Sequence, residues 1–347
     1  MDLRPDLVST PLTADLVHGA LETVPTKQVY LGGPPRPDGV YDLVVDGRTT
    51  AQATASGGDT LTIDLATGAA EVTPGAAAVL EFGDLPDGDK EIEVWLPWNE
   101  RTELVALWTD APVEPLVDRG RPRWVHHGSS ISHGSNADSP TSTWPALAAA
   151  LGGMDLLNLG FGGSALLDPF VARVIRDTRA DLISLKIGIN LVNTDAMRLR
   201  AFTPAVHGFL DTIREGHPDT PLVVVSPILC PIHEDTPGPS EIDLAGLAAG
   251  WLRFRAAGSA AEVAGGKLTL QLIRDELARI VQVRAADDPH LGYLDGRELY
   301  GAPDAAQRPL PDDLHPDAPT QRLIGERFAR LVLERSAQPV PTGDLRP

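Results

Sequence analysis

Four short stretches of this 347-residue chain carry side chains that can do chemistry together. The first, residues 124–134, reads Trp-Val-His-His-Gly-Ser-Ser-Ile-Ser-His-Gly. It begins as a short apolar strand and ends in a turn crowded with Gly and Ser. That setting holds Ser130 as a candidate nucleophile at the carboxyl end of a strand. The other three are Asn158-Leu159-Gly160-Phe161-Gly162-Gly163, Gly188-Ile189-Asn190 and Asp312-Asp313-Leu314-His315. In this order they can supply a nucleophile, oxyanion donors, and a base with its orienting carboxylate. A serine hydroxyl is a poor nucleophile until a base takes its proton, and His315 is the candidate base. A carboxylate three residues earlier can reach back within one turn and hold the other N–H of the imidazole. Two adjacent acids, Asp312 and Asp313, leave the choice open at this point.

These stretches have to be held by regular elements, and from residue 124 the sequence alternates strand, loop and helix. Strands are expected at 124–127, 154–159, 181–187, 221–226 and 292–295. Helices are expected at 144–151, capped by Ser142 or Thr143, and at 168–179, 204–216, 267–283 and 320–335. A further helix-like segment, rich in Ala and Gly, covers 242–264. Alternating β and α elements with apolar strands buried on both faces imply a doubly wound parallel sheet. Ligands in such sheets sit at the carboxyl ends of the strands, where all four stretches fall. Residues 231–241 form a long loop after the fourth strand that can overhang the site.

Residues 1–118 read differently. Short apolar segments at 28–31, 41–45, 60–65 and 77–82 are divided by Gly, Pro and Asp turns, which suggests a small β-sandwich. Residues 91–97 alternate charged and apolar side chains like a half-solvated strand, with 103–108 as its hairpin partner. Trp95, Trp98 and Trp108 are expected to be packing residues, with a sugar-stacking face as the alternative. Residues 112–123, with three prolines, read as the linker between this β domain and a second domain at 123–337. A disordered tail is expected at 338–347.

Composition removes several function classes. The formal net charge of −19 opposes nucleic-acid or anionic-membrane partners, because a phosphate backbone calls for a basic surface. No apolar run is long enough to span a membrane. The amino terminus lacks the pattern of a secretory signal, so a cytoplasmic protein is expected. Cys230 is the single cysteine and reads as a core thiol, which leaves no internal disulfide and no thiolate metal site. His126, His127 and His133 surround Ser130, but strand neighbours point to opposite faces, so no metal is expected from them.

The four stretches resemble the motif blocks of the SGNH, or GDSL-type, esterase and acyltransferase superfamily. Gly128-Ser129-Ser130-Ile131-Ser132 is similar to its Gly-Asp-Ser-(Leu/Ile) block, with Ser129 standing where the family usually has Asp. Gly163 closes the second block, Gly188-Ile189-Asn190 is the third, and Asp312-x-x-His315-Pro316 the fourth. The resemblance covers about 123–336, and residues 1–118 are similar to a β domain found on some bacterial members. It implies a flavodoxin-like three-layer α/β/α domain and acyl transfer without a cofactor. It also implies a triad of Ser130, His315 and Asp312. The oxyanion donors would be the N–H groups of Ser130 and Gly163 and the amide of Asn190. Removing one such donor costs roughly 2.7–4 kcal/mol in a hydrolase.

The expected function is hydrolysis of a carboxylic ester through an acyl-enzyme on Ser130. One alternative is transfer of an acyl group from a coenzyme A thioester to a hydroxyl of a natural product or sugar. Another is a carbohydrate-binding protein with a silent hydrolase domain. The expected partner is a small ester or thioester, and a homo-oligomer stays open.

Overall fold

The computed structural model describes residues 12–14, 17–65, 67–115 and 120–334. The expected tail at 338–347, the last turn expected at 335, and part of the expected linker, 116–119, lie outside these residues.

The amino-terminal part is built from strands β1 (Leu12–Ala14), β2 (Gly19–Leu31), β3 (Val40–Val45), β4 (Arg48–Thr54), β5 (Asp59–Asp64), β6 (Ala70–Thr73), β7 (Ala78–Phe82), β8 (Lys90–Trp95), β9 (Arg101–Thr109) and β10 (Glu114–Pro115). They form two sheets. One has the order β10-β1-β8-β3-β4; the other has β6-β5-β2-β7, with β9 also on β2. Leu21, Leu80 and Phe82 of the second sheet share one apolar core with Tyr41, Leu43, Val45 and Ile92 of the first. The strict buried–exposed alternation of β7 is what a strand with one solvated face must show.

The expected hairpin of 91–97 with 103–108 does not form. β8 pairs with β1 and β3, whereas β9 pairs antiparallel with β2 in the other sheet. The connection between them crosses from one sheet to the other. Trp98 donates its Nε1–H to the Ala137 carbonyl at 3.2 Å, and its own carbonyl oxygen lies 2.7 Å from His133 Nε2. Glu91 is buried rather than half-solvated.

The carboxyl-terminal part contains β11 (Arg123–Gly128), β12 (Asp155–Gly160), β13 (Leu182–Lys186), β14 (Leu222–Val225), the short strands β15 (Ser240–Ile242) and β16 (Phe254–Ala256), and β17 (Leu291–Leu294). The helices are α1 (Ser130–His133), α2 (Trp144–Gly152), α3 (Pro169–Asp177), α4 (Ile189–Asn193), α5 (Leu199–Arg214), α6 (Leu244–Ala248), α7 (Leu270–Arg284), α8 (Ala302–Gln307) and α9 (Ala318–Phe328). Five parallel strands run in the order β12-β11-β13-β14-β17, the flavodoxin-like arrangement expected. α2 packs on α9, and α3 on α5, while every residue of β13 is buried. The strand order reverses at β11, so the crevice opens beyond the carboxyl ends of β11 and β13.

Three local expectations change. α5 begins at Leu199, so Pro204 lies inside the helix, and the Thr203 hydroxyl bonds the Leu199 carbonyl there. Thr143 is the residue before α2 but does not cap it with its side chain; Gln321 of α9 accepts the Trp144 N–H at 3.0 Å instead. The segment 242–264 is not one helix. Gly250 takes a left-handed backbone (φ 88°) just after α6, and the segment folds as the β15–β16 ribbon with α6 at its tip and a short 3-10 turn after it.

The two parts meet at a buried carboxylate. Asp42 of β3 accepts from the Ser139 hydroxyl at 2.7 Å, from the Thr141 N–H at 3.0 Å, and from Gln52 Nε2 at 2.7 Å. Asp42→Ala strands these donors without an acceptor, at a cost of about 3 kcal/mol or more. A lowered urea midpoint, partly recovered by Asp42→Asn, is the expected outcome; an unchanged midpoint would show the contact to be idle.

Candidate active site

Ser130 stands where β11 ends. Ser129 is the residue before α1 and accepts the Ile131 N–H on its hydroxyl at 3.3 Å, so it braces the turn where Asp is usual in the family. A Cβ on Gly128 would come within 2.3 Å of Ser132 Oγ; glycine lets the turn close on the strand. Gly160 is likewise a close approach rather than a simple turn, since a Cβ there would meet the His133 nitrogen at 2.6 Å.

A buried relay supports this turn from below. Trp124 Nε1 donates to Ser184 Oγ at 2.8 Å; Ser184 Oγ lies 2.7 Å from His126 Nδ1, and His126 Nε2 lies 2.8 Å from Ser132 Oγ. The indole only donates, so the Ser184 hydroxyl hydrogen is free for Nδ1, and Nε2–H donates to Ser132. Burial, then the neighbouring His127 and Lys186, hold the His126 ring well below its usual pKa, in keeping with that neutral tautomer. His127 points the other way, onto the Leu159 carbonyl and the rings of Phe161 and Phe209. The sequence reading gave Ser184 no role beyond its strand, and it quoted Asn158 in the second stretch without a role of its own. The Asn158 amide donates to the Ser132 carbonyl at 2.7 Å. No group of three or more potential ligands stands at metal-binding spacing among the described residues.

Across the crevice, His315 Nε2 lies 2.9 Å from Ser130 Oγ, and its Nδ1 lies 2.7 Å from Asp312 Oδ2. Asp312 Oδ1 accepts the N–H groups of Leu314 at 3.0 Å and His315 at 2.6 Å, closing the turn on itself. Asp313 is turned away by a left-handed backbone (φ 66°), and its carbonyl accepts the Cys230 thiol. Of the two acids, Asp312 is therefore the one against the imidazole. Burial raises the Asp312 pKa, but the His315 side chain, its charge and the two backbone donors outweigh that and hold the carboxyl below its usual value. Asn136 Nδ2 also reaches Asp312, at 3.3 Å, and Phe254 sets its ring edge-on to His315. With Nδ1–H on the carboxylate, Nε2 presents its lone pair to the serine.

Asn190 is buried, and its Oδ1 accepts the Ala165 N–H at 3.1 Å, while its Nδ2 has no partner among the described residues. Gly163 has φ 73°, and a Cβ there meets no protein atom; the backbone conformation, not crowding within the protein, explains the glycine. Ser130, Gly163, Asn190 and His315 all face one cleft of about 550 Å³. Part of its wall comes from the amino-terminal strands and loops, including Arg36, Trp98 and Glu100. Sequence reasoning missed this wall. The three tryptophans do not share a role. Trp98 meets His133 edge-on, Trp95 bonds Glu93, and Trp108 is 59% exposed rather than packed.

The GDSL-like lipase/acylhydrolase family model matches residues 122–230. The fold is similar along 95% of the chain to a salicylyl-acyltransferase from a tetracycline biosynthetic pathway, with 28% identity, a TM-score of 0.74 and 83% of that chain covered. Residues 122–230 belong to the GDSL-like lipase/acylhydrolase family. The same fold, at 18% identity and TM-score 0.66, occurs in a GDSL-like lipase from Bacteroides ovatus, covering 93% of this chain and 83% of that one. It recurs in a family two carbohydrate esterase from Clostridium thermocellum at 12% identity and TM-score 0.60, covering 94% and 90%. Among curated proteins none is detectably similar in sequence. The superfamily places the chain among enzymes of ester hydrolysis and acyl transfer.

Asp312→Asn should keep the fold but lose on the order of 10²–10⁴ in kcat on an aryl ester. Asp313→Asn should change it by less than about tenfold. Because the folded Asp312 pKa is depressed, its carboxylate persists as pH falls to its ordinary 3.8 and is lost only below that. A carboxyl carbon resonance of Asp312 that titrates above 3.8 in the folded protein would contradict this.

Proposed function

We propose that the chain is a serine esterase or acyltransferase working through an acyl-enzyme on Ser130. The observation that carries this reading is the hydrogen-bonded file from Asp312 through His315 to Ser130, opening into a cleft where Nδ2 of the buried Asn190 has no partner among the described residues. His315 Nε2 takes the Ser130 proton as Oγ attacks the acyl carbonyl carbon. The oxyanion that forms receives the N–H groups of Ser130 and Gly163 and Nδ2–H of Asn190. Collapse breaks the bond to the leaving alcohol or thiol, which takes the proton from His315. Water, or an alcohol, then attacks the acyl-enzyme with His315 again as base, and Ser130 is regenerated. Asp312 holds the imidazole in one tautomer and offsets its charge while it carries the proton.

Hydrolysis and transfer share these steps and differ in what enters the cleft second. Acyl transfer is favoured by the similarity, which includes the amino-terminal β part, to the salicylyl-acyltransferase. A silent hydrolase domain beside a sugar-binding face is not favoured, since Trp95, Trp98 and Trp108 have three different surroundings. The described residues contain no helix long and apolar enough to cross a membrane.

Ser130→Ala should abolish turnover of an aryl acetate and remove the acetyl adduct that mass spectrometry detects on the wild type. Wild-type turnover in that variant would end the serine reading. With an acyl thioester, a product that shifts from free acid to ester when an alcohol is added marks transfer; free acid alone marks hydrolysis.

A further inference from the structure

The cleft holds charge that the serine chemistry does not use. Its amino-terminal wall presents Arg36, Glu100 and Arg101 beside Tyr30 and Gln28. Arg36 lies between Pro35 and Pro37, and proline on both sides restricts the backbone and stiffens the loop that carries it. That loop is pinned to the stretch after β8. The Gly39 N–H donates to Glu100 Oε1 at 2.7 Å, and Asn99 Nδ2 donates to the Pro37 carbonyl at 3.1 Å. A Cβ at Gly39 would strike Pro97 and Glu100 at 2.5 and 2.6 Å, so the two segments are in direct contact. The arginine is thus placed before any ligand arrives, at little further cost in entropy.

Its partners are neutral. Arg36 Nη1 donates to Gln28 Oε1 at 2.8 Å and to the Tyr30 hydroxyl at 3.2 Å, and the guanidinium lies over the Tyr30 ring at 5.5 Å. The nearby acids are engaged elsewhere: Asp38 pairs with Lys27 at 2.9 Å, and Glu100 holds Gly39. Among the described residues, neither Arg36 nor Arg101 has a carboxylate within ion-pairing distance. Glu100 Oε2 is itself buried without a hydrogen-bond partner. Burial raises the Glu100 pKa against the pull of the Gly39 N–H and of the nearby Lys27 and Arg36 charges. In a chain of net charge −19, a cleft wall with two arginines free of carboxylate partners is a local reversal of sign. A guanidinium bonded through one nitrogen keeps its remaining N–H groups for a planar, two-oxygen acceptor.

We propose that this cleft takes an ester or thioester bearing an anionic group, carboxylate or phosphate, and that Arg36 is the specificity residue that binds it, with Arg101 as the second cation. The inference rests on the serine reading above and names the substrate class of the same site. The amino-terminal β part is then half of the binding site rather than an appendage.

Two matched pairs of substrates test it. The first is para-nitrophenyl butyrate against para-nitrophenyl hemisuccinate, which adds a carboxylate to the acyl group. The second is acetyl pantetheine against acetyl phosphopantetheine, which adds a phosphate to the thiol. The wild type should prefer the charged member of at least one pair by about tenfold or more in kcat/KM, through KM. Arg36→Gln should collapse that preference, and Arg36→Lys should restore part of it. The pair that responds tells carboxylate from phosphate. Equal turnover within both pairs, or a preference that survives Arg36→Gln, overturns the assignment while leaving the serine reading intact. A wild type inert on all four substrates, or a Ser130→Ala variant active on them, overturns both.

Discussion

β11 is hydrogen-bonded in parallel to β12 on one side and to β13 on the other, with Gly128 level with Gly160 and Lys186. Everything at the site depends on that register. The chain leaves all three strands at one height, so the loops carrying Ser130, Gly163 and Asn190 start side by side. A shift of one residue in β11 would move His126 from the inner relay to the opposite face and break the chain from Trp124 to Ser132. Trp124 of β11 stacks on Phe328 and meets Trp144 at a tilt, and this ring cluster limits such movement.

Polar groups buried inside the sheet do the fine positioning. His126, Ser184 and Ser132 form a chain in which each hydroxyl and ring nitrogen has a defined partner, and such a chain tolerates little rearrangement. On the far side, Arg274 is buried against the Pro227 and Ile228 carbonyls and the Glu234 carboxylate, which orders the loop after β14. Cys230, on that loop, is pushed up to about 12, first by burial and then by Glu234, so it stays a thiol bonded to the Asp313 carbonyl. That contact ties the loop after β14 to the backbone of Asp313.

The β part is joined to the site, not merely tethered to it. His133 sits between the Gly160 carbonyl at 3.0 Å and the Trp98 carbonyl at 2.7 Å, so one ring bridges the end of β12 and the connection between the two amino-terminal sheets. Asp42 makes a second junction at the turn before α2. Between these two contacts the loop of Arg36 is brought to the rim of the cleft. A site assembled this way gains a wall whose chemistry can vary without disturbing the serine, because it hangs from a different core.

Much of this was legible in the sequence. The alternation of apolar strands and amphipathic helices after residue 124 specified the parallel sheet, because burial on both faces leaves no other pattern. The four motif stretches fell on the loops at one sheet edge for the same reason. Local turn chemistry also reaches the page from sequence alone: an aspartate three residues before a histidine can close the turn that Asp312 closes. What the sequence did not determine was every contact made across distance. It paired β8 with β9 because they are neighbours in the chain, but their hydrogen bonds went to β1, β3 and β2. It did not separate the adjacent Asp312 and Asp313 by residue type, and the choice of Asp312 came from the motif spacing; in the folded chain the left-handed backbone at Asp313 separates them. It did not place Arg36 or Trp98 near Ser130, since close to a hundred or fewer residues of chain carry no information about which surfaces meet. Side-chain type and spacing dictate local structure through short-range sterics and hydrogen bonding. Which walls face each other is decided by the packing of two cores, and that exists only in the folded chain.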